Sequence, residues 1–265
     1  MKVITVIQRK GGNGKSTAAL NLAAAYAEQG EKILLVDLDD QRNTTGTLPT
    51  KRTVRHTVEK LLFDEDNWND ANGETYGDIT VETVAEATFW EGIDLIAGSQ
   101  SLSSAAELLA ETPGLQWQLA EKLRVCKRYD KCIIDTSPSL NMLTINALCA
   151  SHGIIIPLSS NYYSLEGLAQ TMDAYRKVRD GLRHNLKLYG IAFAIHDGRT
   201  RLACEVQAKV KEQYPDLLCE TVIGRNIKIE EAQVKKQSIF QYAPGDRGAA
   251  QYRALASELE ARMKP

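Results

Sequence analysis

Val3-Ile4-Thr5-Val6-Ile7-Gln8-Arg9-Lys10-Gly11-Gly12-Asn13-Gly14-Lys15-Ser16-Thr17 sets the frame for the whole chain. Val3 to Ile7 is a β-branched apolar run of strand type, and Ala18 to Gln29 repeats apolar residues at helical spacing until Gly30. Gly11, Gly12 and Gly14 therefore occupy a strand-to-helix turn. Side chains there would hold the backbone away from a phosphate; without them, successive N–H groups and the helix start form an anion cradle. In such a loop Lys15 neutralises the β- and γ-phosphates of a nucleotide, and the Ser16 hydroxyl ligates Mg²⁺. The strict phosphate-loop pattern asks for glycine at position 9. This chain has Arg9 there, and an extra lysine, Lys10, opens the loop.

Two further apolar runs end in acids. Lys32-Ile33-Leu34-Leu35-Val36-Asp37-Leu38-Asp39 reads as a buried parallel strand whose carboxyl end opens onto a site, and its two acids suggest Mg²⁺ or water chemistry. Tyr129-Asp130-Lys131-Cys132-Ile133-Ile134-Asp135 has the same form, with an acid at the tip to hold Mg²⁺. Many strands end in aspartate, so this second pattern gains its weight from the phosphate loop ahead of it.

With these residues in place the chain resembles the ParA/MinD ATPases. Lys-Gly-Gly-x-Gly-Lys-Ser-Thr is their deviant Walker A motif, in which the first, signature lysine reaches across a nucleotide-sandwich dimer to the partner's phosphates. The resemblance gives that role to Lys10. The family's switch I reads D-x-D-P-Q-G-N-x-T, and its second aspartate, which orients the attacking water, corresponds to Asp39. Asp40 replaces the proline and Arg42 the glycine. Switch II, usually D-x-P-P-S-L, is here Asp135-Thr136-Ser137-Pro138-Ser139-Leu140, one proline short.

Further along, Ser159-Ser160-Asn161-Tyr162-Tyr163-Ser164-Leu165-Glu166-Gly167-Leu168 contains the Tyr-Tyr-x-Leu-Glu-Gly string of the chromosome-partitioning branch. By itself the tyrosine pair reads as packing. A strand from Leu188 to Ile195 leads to His196-Asp197-Gly198-Arg199-Thr200-Arg201, which alone reads as a capped turn with solvated charges. In relatives an arginine in this place belongs to a dimer-dependent, sequence-independent DNA surface, and Arg199 inherits that role by resemblance. Gly224-Arg225-Asn226-Ile227-Lys228 matches the family's I-P-R-N-x-R/K loop, with Gly224 in place of proline. The resemblance assigns Asn226, with Gly224 in the same loop, to the adenine pocket and Lys228 to the DNA surface.

Bulk composition narrows the class. The chain of 265 residues is 43% apolar and 25% charged with a formal net charge of −2, so a nucleic-acid contact has to come from a local patch. Cys126, Cys132, Cys149, Cys204 and Cys219 show no C-x-x-C spacing, which speaks against a zinc site or a complete disulfide framework. The first residues read as a strand rather than a signal peptide, and no apolar run approaches a membrane span. The C-terminal helix, with Tyr252, Leu255 and Leu259 on one stripe, lacks the exposed apolar residues of a MinD-type membrane anchor.

The expected fold is α/β: a P-loop NTPase with a twisted, mostly parallel sheet and helices on both faces. One domain is expected over residues 1–265, with 64–92 a surface insertion whose acidic stretch around Asp64-Glu65-Asp66 is a solvated face. Expected helices include Val54 to Phe63 and Leu115 to Val125, and Glu220 to Ile223 is an expected strand. The resemblance implies a Mg²⁺-dependent ATPase with weak intrinsic activity, closest to the ParA/Soj partitioning proteins. Lys10, Gly11, Gly12, Asn13, Gly14, Lys15, Ser16 and Thr17 would bind ATP, Ser16, Asp39 and Asp135 would hold Mg²⁺, and Lys10, Lys15 and Asp39 would serve catalysis. The implied setting is the cytoplasm, on the nucleoid: an ATP-dependent homodimer binding double-stranded DNA non-specifically and answering to a ParB-type partner, with no membrane. The alternative is a ParA-like positioning ATPase for a protein cargo or septum component. An iron-cluster carrier would need paired cysteines facing a dimer axis, and Cys126 and Cys132 are not placed for that.

Overall fold

The computed structural model describes residues 1–63, 79–111, 114–182 and 184–264. In chain order they form β1 (Lys2–Val6), α1 (Lys15–Glu28), β2 (Ile33–Leu38), α2 (Asn43–Thr47), α3 (Val58–Leu62), α4 (Val81–Val84), β3 (Glu86–Ala87), β4 (Ile93–Ile96) and α5 (Leu102–Glu111). There follow α6 (Gln118–Val125), β5 (Lys131–Thr136), α7 (Met142–Ala150), β6 (Gly153–Ser159), α8 (Tyr163–Gly181), β7 (Lys187–Ile195), α9 (Arg201–Gln213), α10 (Ile227–Val234), α11 (Ile239–Tyr242) and α12 (Arg247–Met263).

The strands make one sheet in the order β3-β4-β2-β5-β1-β6-β7, and every pairing is parallel except that of β3 with β4. Their near-continuous apolar composition follows from burial on both faces. Ile4, Ile33, Leu35, Ile133 and Ile155 point into a core shared with α1 and α12. Their neighbours Val3, Leu34, Val36, Cys132 and Ile134 point the other way, into a core shared with α3, α5, α6 and α7. A third cluster joins Ile154, Ile156 and Leu158 of β6 to α8 and α9. Ala18, Ala19, Ala23 and Ala25 are buried along α1, and such small side chains let the helix lie close between the sheet and α12.

Three local expectations change. The helix expected over Val54 to Phe63 shortens to α3, because Thr57 bridges to Ala97 beyond β4 and the Val58 N–H donates to the Ala97 carbonyl at 2.9 Å. The one expected over Leu115 to Val125 begins as a 3₁₀ turn, Leu115–Trp117, before α6. Glu220 to Ile223 follows β7 without becoming a strand. The Glu258 carboxylate takes the N–H groups of Glu220 and Thr221 at 2.8 and 2.9 Å, which interrupts the ladder between the bonds made by Cys219 and Ile223. Of the stretch 64–92, residues 64–78, with the acidic run, lie outside the described residues. Residues 79–92 carry α4 and β3 and bury Val81, Val84 and Trp90.

Candidate active site

β1, β5 and β2 are neighbours, and their register sets Val6 level with Asp135 and Asp135 level with Asp37. The chain leaves β1 through the glycine loop, leaves β2 through Asp39 and leaves β5 at Asp135, so all three segments meet at the carboxyl end of the sheet. Ligands of open α/β sheets bind at such strand ends.

The loop turns through Gly12 and Gly14, whose φ angles of 76° and 78° suit glycine, and α1 starts immediately after Gly14. No side chain caps α1, and its first turn holds no acid, so the N–H groups there face an anion site unblocked. Asn13 is buried and fixes the loop. Its amide donates to the Lys10 carbonyl at 3.2 Å, while its Oδ1 accepts from Ser159 N–H (3.1 Å), Ser159 Oγ (2.6 Å) and Ser164 Oγ (2.8 Å). Lys15 is also buried. Desolvation lowers its pKa, against the carboxylates of Asp135 and Asp39, which favour the charged form. Thr17 Oγ1 accepts from Gln233 of α10 at 2.9 Å.

The acids divide by partner. Asp37 accepts from Asp39 N–H at 3.1 Å, Thr45 N–H at 2.8 Å and Thr45 Oγ1 at 2.7 Å, so it shapes the loop that follows β2. Asp39 accepts from the Gln41 N–H at 3.1 Å, and burial raises its pKa. Asp135 is fully buried. Thr44 Oγ1 donates to its Oδ2 at 2.8 Å, and Oδ1 has no hydrogen-bond partner among the described residues. Burial and then the neighbouring Asp37 push its pKa up, opposed by Ser16, Thr44 and Lys15. An unpaired carboxylate oxygen in the interior is costly unless a cation takes it. The oxygen donors of Asp135, Ser16 and Asp39 are of the hard type that Mg²⁺ prefers, so the residues present fit that ion.

The periphery is looser. Lys10 is half-buried, and its ammonium lies 4.4 Å from the centroid of the Tyr163 ring. Asn226 caps α10, accepting from Lys228 N–H at 2.9 Å and donating to Asp246 Oδ1 at 2.5 Å, so its side chain is engaged in holding the loop. Gly224 bridges to His196 and donates its N–H to Gln251 Oε1 at 3.1 Å. β7 ends beside the phosphate loop, where a Cβ at Gly14 would stand 3.5 Å from the side chains of Ala194 and Ile195. The Arg199 side chain is 88% exposed and holds Asp197 in a two-pronged pair, which depresses the Asp197 pKa to about 2. Lys228, about half exposed, pairs with Glu231 at 2.8 Å. The loop that carries Arg199 and the segment that leads into α10 are joined by the Arg225 N–H, which donates to the His196 carbonyl at 2.9 Å.

The AAA_31 family model, described as an AAA domain, matches residues 1–188. The sporulation initiation inhibitor protein Soj of Bacillus subtilis is 37% identical over 262 residues, spanning 98% of either chain. This chain belongs to the ParA/Soj family of P-loop ATPases. The chromosome-partitioning ATPase Soj of Thermus thermophilus is 37% identical over 263 residues, 98% of this chain and 96% of its own. Among solved structures, cobyrinic acid a,c-diamide synthase from Mycobacterium smegmatis with bound ADP and magnesium is similar, with a TM-score of 0.78 at 27% identity over 97% of this chain and 93% of that one.

Against the ParA/Soj motif, Arg42 stands where the pattern has glycine, and it adopts the left-handed conformation, φ 53°, that glycine takes freely. Thr44 and Thr45 were not among the expected site residues, and Asp37, expected with Asp39 to serve Mg²⁺ or water chemistry, is engaged by Thr45. Asp37 and Asp39 share one face of β2 by their spacing of two, a signal that was available; the contact of Thr44 with Asp135 depends on the sheet order and was not.

Proposed function

We propose that this chain is a partition ATPase in which ATP drives a sandwich dimer that binds DNA. The observation that carries the reading is the meeting, at one end of the sheet, of the phosphate loop, Asp39 and the unpaired oxygen of Asp135. Gly11 to Thr17 bind the phosphates through loop N–H groups and the start of α1, and Lys15 sets its charge against them. Gly224 and Asn226 form the loop beside the base. Ser16 and Asp135, with Asp39 nearby, hold Mg²⁺, which neutralises charge on the phosphates. Asp39 orients the attacking water. Lys10 serves the partner's nucleotide as the cation that an arginine finger provides elsewhere.

In this reading the dimer brings Arg199 and Lys228 of both subunits onto one surface. They bind DNA phosphates without reading bases, and a ParB-type partner stimulates hydrolysis, which releases the DNA. The Thermus thermophilus relative named for chromosome partitioning, with an overlap of nearly full length, supports this choice. The experiment is ATP turnover and sedimentation of the wild type, Asp39→Ala and Lys10→Ala. Asp39→Ala is expected to dimerise with ATP and not turn it over; Lys10→Ala is expected to bind ATP as a monomer. Normal dimerisation and turnover by Lys10→Ala would refute the cross-subunit mechanism.

A further inference from the structure

The Tyr162-Tyr163-Ser164-Leu165-Glu166-Gly167 string has no part in phosphate binding, yet its side of α8 holds the phosphate loop at four places. Ser164 Oγ donates to Asn13. The Thr171 hydroxyl accepts the Arg9 N–H at 3.0 Å and lies 3.0 Å from Gln8 Oε1. Gly167 permits the contact: a Cβ there would stand 2.9 Å from both Gln8 Oε1 and Lys10 Cβ. Tyr163 completes the set, its ring 4.4 Å from the Lys10 ammonium. Tyr162 and Tyr163 stay 64% and 61% exposed, so their rings are not retained for packing into the core.

Resting on the sandwich reading above, we infer that Tyr163 is a positioning residue for Lys10: its ring holds the ammonium on its own subunit until a partner's nucleotide takes it. In this inference the ammonium leaves the ring when it reaches across the dimer. The cation–π contact therefore stabilises the single subunit and raises the threshold for ATP-driven pairing. An exposed contact of this kind weighs a factor of about 2 to 5 in an equilibrium constant. A symmetric dimer releases two of them, so the expected effect on its dissociation constant is the square, about 5- to 30-fold.

Substitutions at Tyr163 separate the ring's π face from its bulk. With a non-hydrolysed ATP analogue and Mg²⁺, Tyr163→Leu is expected to tighten the dimer by that factor. Tyr163→Phe keeps the face and is expected to behave as wild type. A series of fluorinated phenylalanines at 163, which weakens the face while keeping the shape, is expected to move stepwise from Phe towards Leu. The second readout needs no dimer: in the nucleotide-free protein the Lys10 Cε protons are expected to carry a ring-current shift that disappears in Tyr163→Leu and persists in Tyr163→Phe. An unshifted Lys10 in the wild type overturns the inference, as does a Tyr163→Leu dimer no tighter than wild type. A wild type that stays monomeric with the analogue overturns the sandwich reading instead, and the Lys10 shift then decides by itself whether the ring holds the ammonium.

Discussion

Arg42 and Asp135 each hold their places at an energetic cost. Arg42 has φ 53°, and its Nε is buried without a partner among the described residues. A left-handed non-glycine residue costs about 1–2 kcal/mol, of which replacement by glycine recovers part, less its greater freedom in the unfolded chain. Arg42→Gly is thus expected to exceed Arg42→Ala in stability by about 1 kcal/mol, a difference in Tm of roughly 2–4 °C, because alanine keeps the strain. Thermal unfolding of the pair checks this; equal midpoints for the two variants would speak against strain at this position. Asp135 presents a different trade. Asp135→Asn removes a buried charge, so the nucleotide-free protein is expected to melt at the same temperature or higher, while Mg²⁺-dependent turnover falls by at least about 10²-fold. A variant that unfolds early and hydrolyses normally would show Asp135 to be a structural acid. Both residues were visible in the sequence, Asp135 as the tip of an apolar run and Arg42 as a departure from a glycine. The conformation that makes Arg42 costly became visible only in the fold.

At the scale of elements, the strands and the glycine loop were legible because they depend on local chemistry. Residues buried on both faces must be apolar along their length, and a turn against phosphates must lack side chains. The scaffold behind the loop was not legible. Asn13 occupies the variable position of the motif, and its partners Ser159 and Ser164 come together with it only because β6 lies next to β1. Removing the Asn13 amide leaves Ser159 and Ser164 to bond each other at 2.9 Å. Asn13→Ala is therefore expected to cost about 1–3 kcal/mol, with a larger proportional loss in ATP affinity than in the affinity of a nucleoside that lacks phosphates. Isothermal titration with both ligands measures the difference, and equal losses would mean that Asn13 does not shape the phosphate loop. The 220–223 segment teaches the converse lesson. Its β-branched Thr221-Val222-Ile223 reads as a strand, and a carboxylate thirty-odd residues later, Glu258, takes the N–H groups that a strand would have used.

Taken whole, the molecule joins its two proposed working surfaces through short connections. α10 carries Lys228 and also Gln233, which touches Thr17 of the phosphate loop, while the loop after β7 carries Arg199 and is tied to the Arg225 backbone. With a net charge of −2 the chain has no global attraction to DNA, so the proposed binding rests on those cations gathered in a dimer. Two copies each of Arg199 and Lys228 neutralise about four phosphates, giving a slope of log affinity against log salt of roughly −3 to −4. Lys228→Ala is expected to flatten that slope by about 2 without altering preference among sequences, because two contacts are lost per dimer. The measurement that bears most directly on the account is the mass of the protein and its retention of an arbitrary DNA duplex without nucleotide, with ADP and with ATP plus Mg²⁺. A dimer that retains the duplex only with ATP, and loses it when Arg199 and Lys228 are both replaced by alanine, is the predicted result. Equal retention under all three conditions, or retention by the doubly substituted protein, would contradict it.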